Sequence, residues 1–169
     1  MSIYFYGCVS LDGYLADANN RLDWLHQTGA PEETNYAEFY SQMDMMIMGK
    51  KTYDEIVGIA GIESLYAPTQ NYVFTHEKEL ALKSFQQVEG DVADFVRQLP
   101  ADKNVWIVGG NSILAPLLNE NMVDKLYVQV APVLLGKGIP LFTQDEDVKR
   151  FKLVGLHQYG QFAEMVFEK

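Results

Sequence analysis

Residues 105–118, VWIVGGNSILAPLL, constrain the fold more tightly than any other stretch of this chain. Val105, Trp106, Ile107 and Val108 are β-branched or aromatic with no polar interruption, the pattern of a strand covered on both faces as parallel strands are. Such a strand belongs in the middle of a sheet. Gly109 and Gly110 follow, where the chain turns without a Cβ and where another molecule can come close to the backbone. Asn111 or Ser112 is then placed to cap a helix running to about Glu120, with first-turn N–H groups free for an anion such as a pyrophosphate. A glycine pair also suits a plain strand-to-helix turn, so the stretch defines an α/β unit before it defines a ligand.

The remaining residues set the frame for that unit. A chain of 169 residues is long enough for one domain, 1–169, with a full core. Its hydrophobic fraction of 48%, with 2 Trp, 10 Tyr and 9 Phe, excludes a disordered chain. No apolar run approaches the ~18 residues of a membrane span. The start, MSIYFYGCVSLDG, reads as a first strand and lacks the basic leader of an export signal, so a cytoplasmic setting is expected. The one cysteine, Cys8, falls in that strand as a buried thiol, and no Cys/His spacing of the zinc kind occurs. A net charge of −10 argues against nucleic acid or an anionic membrane as partner. An anionic small molecule would need locally concentrated cations, which singles out Lys50, Lys51 and Lys137.

Taken in order, residues 3–9 read as a strand and residues 10–14, Ser-Leu-Asp-Gly-Tyr, as a glycine turn. Residues 15–29 carry only sparse apolar periodicity and read as a long irregular loop. Residues 32–43 read as a helix with Pro31, Glu32 and Glu33 at its start. A buried strand at 45–48 ends at Gly49, and a short helix from Lys50 runs to about Gly58. Strands are expected at 71–75 and 85–88, and a helix at 91–99. A long strand at 126–135 is interrupted at Pro132, which suggests an edge or a bulge, and its aromatic-rich part, 126–130, offers a dimer interface. Residues 136–138, Gly-Lys-Gly, read as a flexible loop, and runs at 151–158 and 161–167 meet at Tyr159-Gly160 as a hairpin. Alternating strands and helices followed by a β-rich tail imply a mostly parallel sheet with an antiparallel end.

Four of these stretches, in this order, resemble one known family: Ser10-Leu11-Asp12-Gly13-Tyr14, Met48-Gly49-Lys50-Lys51-Thr52-Tyr53, Val108-Gly109-Gly110, and the run 132–142, PVLLGKGIPLF. The chain resembles the dihydrofolate reductase-like superfamily, in the branch of the bacterial riboflavin-biosynthesis reductase domain. The resemblance implies a three-layer α/β fold: a mixed, mainly parallel eight-stranded sheet with an antiparallel C-terminal hairpin and helices on both faces. It also implies a reductase using NADPH, often as a homodimer. Gly49, Lys50, Lys51 and Thr52 match the family's phosphate-wrapping motif, and Val108, Gly109, Gly110, Asn111, Ser112 and Ile113 its pyrophosphate loop. Thr75 and His76 match the end of the strand that meets the adenosine 2′-phosphate. His76 and Lys50 stand where arginines are common, and neither has an arginine's bidentate, permanently charged fork.

The same resemblance places Ser10, Asp12 and Gly13 beside the nicotinamide and substrate, and Trp24, in Asp23-Trp24-Leu25, in a lid over the substrate. Asp12 is either an acid or a turn residue, and Trp24 either a lid or core. Reading back from Gly49 lands on Glu33 as the carboxylate that dihydrofolate reductases keep for protonation; Glu33 equally suits a solvated helix start. Glu33 and Asp12 are the candidate catalytic acids. No His-x-Glu with a paired Cys-x-x-Cys occurs, so a zinc-deaminase signature is missing from this chain. The function expected is hydride transfer from NADPH to a heterocyclic or small organic substrate, such as the aminopyrimidine of riboflavin biosynthesis or a folate. A nicotinamide-nucleotide-binding module without turnover is the alternative.

Overall fold

In the computed structural model, which describes every residue except Gln144 and Glu146, the central strands alternate their side chains between two separate cores. Met45 and Ile47 of β3 (Met45–Gly49), with Val105 and Ile107 of β6 (Asn104–Gly109), enter one core. Met46, Met48 and Trp106 enter the other. A strand buried on both faces has no polar face to show, so these two read as unbroken apolar runs.

The sheet is built from β1 (Ser2–Ser10), β3, β4 (Gln70–Phe74), β5 (Phe85–Val88), β6, β7 (Lys125–Ala131), β9 (Lys152–Tyr159) and β10 (Phe162–Glu168), in the order β5-β4-β3-β6-β1-β7-β10-β9. Neighbours from β5 to β7 pair in parallel, and β10 runs antiparallel to both β7 and β9. This is the eight-stranded, mainly parallel sheet expected, with its C-terminal hairpin. One face carries α5 (Val92–Arg97) and α6 (Asn111–Asn119), with Val96, Leu114 and Leu117 fully buried. The other carries α2 (Tyr36–Tyr40), α3 (Lys50–Ile56) and α4 (Ile62–Leu65), packed around stacked Tyr6 and Phe39, whose ring centroids are 4.6 Å apart.

Several expectations are corrected. The stretch 15–29 is not loop throughout: β2 (Tyr14–Asp17) and α1 (Asp23–His26) form there. β2 pairs with β8 (Gly138–Pro140) in a separate two-stranded ribbon, so Gly138 is in a strand and not a flexible loop. A Cβ at Gly138 would collide with the Ala16 carbonyl oxygen, which makes glycine the residue that allows this close pairing. The helix expected at 32–43 is a 3₁₀ turn (Pro31–Glu33) and the short α2, separated by the extended Thr34. β7 ends at Ala131, before Pro132. It is also no edge strand, since β1 and β10 pair with both its sides. α6 is capped by Gly110, without a side-chain cap from Asn111 or Ser112. Among the described residues, no helix is long and apolar enough to cross a membrane, and no cluster of metal-ligating side chains occurs.

Candidate active site

Two strand-to-helix junctions lie side by side because β3 and β6 are neighbours in the sheet. At the first, Gly49 joins β3 directly to α3 in an extended conformation. At the second, Gly109 has φ +137°, a conformation that favours glycine, and the Gly109–Gly110 peptide is cis. The two junctions touch. A Cβ on Gly49 would lie 3.5 Å from the Ile113 side chain, and one on Gly109 would lie 3.7 Å from Thr52 Oγ1. No side chain caps α6, because its N-cap is Gly110; the Asn111 amide, one residue on, donates to the Pro140 carbonyl of β8 at 3.1 Å. The positive end of that helix is therefore left for an anion.

A cleft of about 760 Å³ opens along these junctions at the carboxyl ends of the parallel strands. In open α/β sheets this is where ligands bind. Its size falls in the range of cofactor sites, about 300–1,000 Å³. One end is apolar and formed by Gly7, Cys8, Leu15, Ala16, Leu22 and Leu25, with Ile139 of the ribbon beside them. The other end carries Lys50, Lys51, Thr52 and Glu55 of α3, and Phe74 of β4. Lys50 Nζ binds Asp54 at 2.7 Å and Glu77 at 3.0 Å, and these hydrogen bonds, Asp54's first, raise the ammonium's pKa. Lys51 Nζ reaches Asn20 Oδ1 at 3.5 Å. Burial pushes the Cys8 thiol up to about 12, so it stays neutral and is no nucleophile. Glu55 is the one carboxylate among the described lining residues.

Gly49, Lys50, Lys51, Thr52 and 108–113 all line this one cleft, as their resemblance implies. Other candidates lie elsewhere. Asp12 accepts the Ser10 hydroxyl at 2.6 Å, the Gly136 N–H at 2.7 Å and the Leu135 N–H at 3.2 Å. The Ser10 hydrogen bond, followed by the backbone ones, holds its carboxyl below the usual range. With its oxygens accepting these hydrogen bonds, Asp12 ties the turn at 10–13 to the loop at 135–136. Gly13 completes that turn by donating to the Ser10 carbonyl at 2.9 Å. Glu33 is exposed and accepts the Ala30 N–H at 3.3 Å, capping its own 3₁₀ turn away from the cleft walls. Both catalytic-acid expectations are thus left without a place in the cleft.

Trp24 lies in a core cluster and not in the cleft lining: it packs on Ala131 and Phe162, with Cys8 and Leu25 against the same cluster, and its buried Nε1–H has no partner among the described residues. Thr75 and His76 stand just beyond β4, His76 exposed and Thr75 Oγ1 accepting the Glu77 N–H at 3.1 Å. Sequence reasoning missed Leu22, Leu25, Ala16 and Ile139, which reach the cleft only because β2 and β8 pair across the whole length of the chain. It also missed Glu164, fully buried on β10 and laterally paired with Gln129, which is in turn paired with Cys8.

A mainly parallel eight-stranded sheet with an antiparallel C-terminal hairpin, helices on both faces and a cleft at the carboxyl ends of the strands define a protein of the dihydrofolate reductase-like fold. The chain belongs to the RibD C-terminal domain family, whose model matches residues 62–163. It is 30% identical over 167 residues to the uncharacterized protein YwjB of Bacillus subtilis, covering 95% of this chain and 93% of that one. A crystal structure of a protein from Shewanella sp. PV-4, provisionally named for riboflavin biosynthesis, superposes with a TM-score of 0.83 at 23% identity, over 99% of this chain and 98% of that one. The deaminase/5-amino-6-(5-phosphoribosylamino)uracil reductase of Thermotoga maritima superposes with a TM-score of 0.69 at 15% identity, over 99% of this chain and 56% of that one. The chain thus spans little more than half of that two-activity protein. At these identities the two structures speak for the fold.

Proposed function

We propose that this chain is a reductase that binds a reduced nicotinamide dinucleotide along the cleft and directs hydride to a heterocyclic substrate, of the kind reduced by the Thermotoga protein's second named activity. One observation carries this reading: the uncapped α6 N-terminus beside Gly109 and Gly110 adjoins an apolar end large enough for a ring and open to a second molecule. Family membership supports it, and RibD reductase domains are in general NADPH-dependent.

In this reading the α6 N–H groups hold the pyrophosphate, with Lys51 and Thr52 alongside, and Cys8, Leu22 and Leu25 pack the nicotinamide and exclude water. The bound dinucleotide supplies the hydride. With no carboxylate among the residues of the apolar end, the proton that completes the reduction comes from water admitted with the substrate. The test is the loss of reduced-nicotinamide absorbance when purified chain meets NADPH or NADH together with 5-amino-6-(5-phosphoribosylamino)uracil. Substrate-dependent oxidation is expected. Oxidation with dihydrofolate alone moves the substrate class, and cofactor binding without oxidation of either mixture points to a binding module without turnover.

A further inference from the structure

Two carboxylates just outside the cleft lining make its Lys50 end more acidic than an anionic ligand would suggest. Lys50 lies between Asp54, one turn further along α3, and Glu77, just beyond β4. Glu77 is held in place, because its N–H donates to Thr75 Oγ1 at 3.1 Å while the Thr75 N–H donates to the Val88 carbonyl at 3.1 Å. An ammonium has three N–H donors, and two of those on Lys50 are committed. The side chains of Asp54 and Glu77 are 51% and 59% exposed, against 27% for Lys50, so carboxylate oxygens and not the ammonium dominate the outer surface. Around Lys50 two carboxylates, Asp54 and Glu77, meet one ammonium, which leaves the surroundings of this cation net negative.

A dinucleotide with its pyrophosphate against Gly110 and its nicotinamide at the apolar end has its adenosine ribose at this acidic end. That ribose carries either a 2′-hydroxyl or a 2′-phosphate. A hydroxyl donates to a carboxylate, and acidic residues accept from it in this way for NAD in other dinucleotide folds, whereas a phosphomonoester needs an uncommitted cation, best an arginine fork. We propose that Asp54 and Glu77 set the cofactor specificity of this chain, disfavouring the 2′-phosphate of NADPH and making NADH at least as good a ligand. This rests on the nicotinamide reading of the cleft.

The experiment is a titration of the full chain with NADH and with NADPH, followed by quenching of tryptophan fluorescence and by calorimetry, for wild type, Glu77→Gln and Asp54→Asn. Wild type is expected to bind NADH as tightly as NADPH or more tightly. Each variant should tighten NADPH by roughly twofold to fivefold, the range for an exposed charge pair, without tightening NADH. The gain should shrink as salt is raised. A wild-type preference for NADPH of about tenfold or more, or variants that move both cofactors alike, overturns the proposal and leaves the reductase reading standing. Binding of neither cofactor by wild type overturns both.

Discussion

Glu164 has no exposed surface, and among the described residues its partners are amides, not a lysine or arginine. Its two carboxylate oxygens accept from the Asn35 amide at 3.0 Å and the Gln129 amide at 3.1 Å, and Gln129 also donates to the Tyr6 hydroxyl at 2.7 Å. Burial raises its pKa, and the two amides offset that in part. The folded state therefore keeps this proton to higher pH than the unfolded chain does. The stability it contributes is present in full below the unfolded value, about 4.3, and is lost as pH rises through the folded value. Glu164→Gln removes that titration. Urea unfolding of both proteins from pH 4 upward to pH 8 should show the difference shifting toward the variant as pH rises. A difference that does not change with pH would mean that Glu164 titrates in the fold as it does in the unfolded chain.

The first half of the chain meets the second in the main sheet, where β1 and β3 pair with β6 and β7, and again through the β2–β8 ribbon and the Asp12 clamp; it is at the ribbon and the clamp that sequence reasoning lost the structure. β3 and β6 were legible because a covered parallel strand is an unbroken apolar run. Gly49–Thr52 and Gly109–Ser112 were legible for the same reason, as glycines that end such runs at a helix start. β2 and β8 have no such pattern: YLAD and GIP become strands only by pairing with each other over more than a hundred residues. Leu22 and Leu25 then reach the cleft from beside α1, a helix too short to show a period. Asp12-Gly13 was legible as a turn, but the clamp on Leu135 and Gly136 was not, since both partners are backbone N–H groups. Asp12→Ala should free those two amides and loosen the ribbon while β3 and β6 stay protected. Hydrogen exchange resolved to single amides checks it, with faster exchange at Leu135 and Gly136 expected; unchanged rates would show that the ribbon holds the loop alone.

At the scale of the whole molecule, the excess of ten negative charges is the feature that sequence states in full, and its effect on the fold is decided by distance. The ion pairs are short-range and largely exposed, such as Arg97 with Asp94 at 2.7 Å and with Glu120 at 3.0 Å. Pairs of this kind contribute about 0–1 kcal/mol each, and many contribute nothing. The excess charge acts over the whole body, which for a chain of this length has a radius of gyration of roughly 15 Å. At about 0.01 M salt the screening length is about 30 Å, so every carboxylate feels the others, while at about 0.15 M it falls to about 8 Å, less than that radius. Salt therefore removes more repulsion between distant charges than attraction within pairs. The melting temperature should rise by roughly a few degrees over that range of salt, about what 1 kcal/mol produces in a domain of this size. Scanning calorimetry at fixed pH in a series of sodium chloride concentrations measures it. A melting temperature that falls instead would mean that the local pairs, and not the net charge, govern the electrostatic stability of this fold.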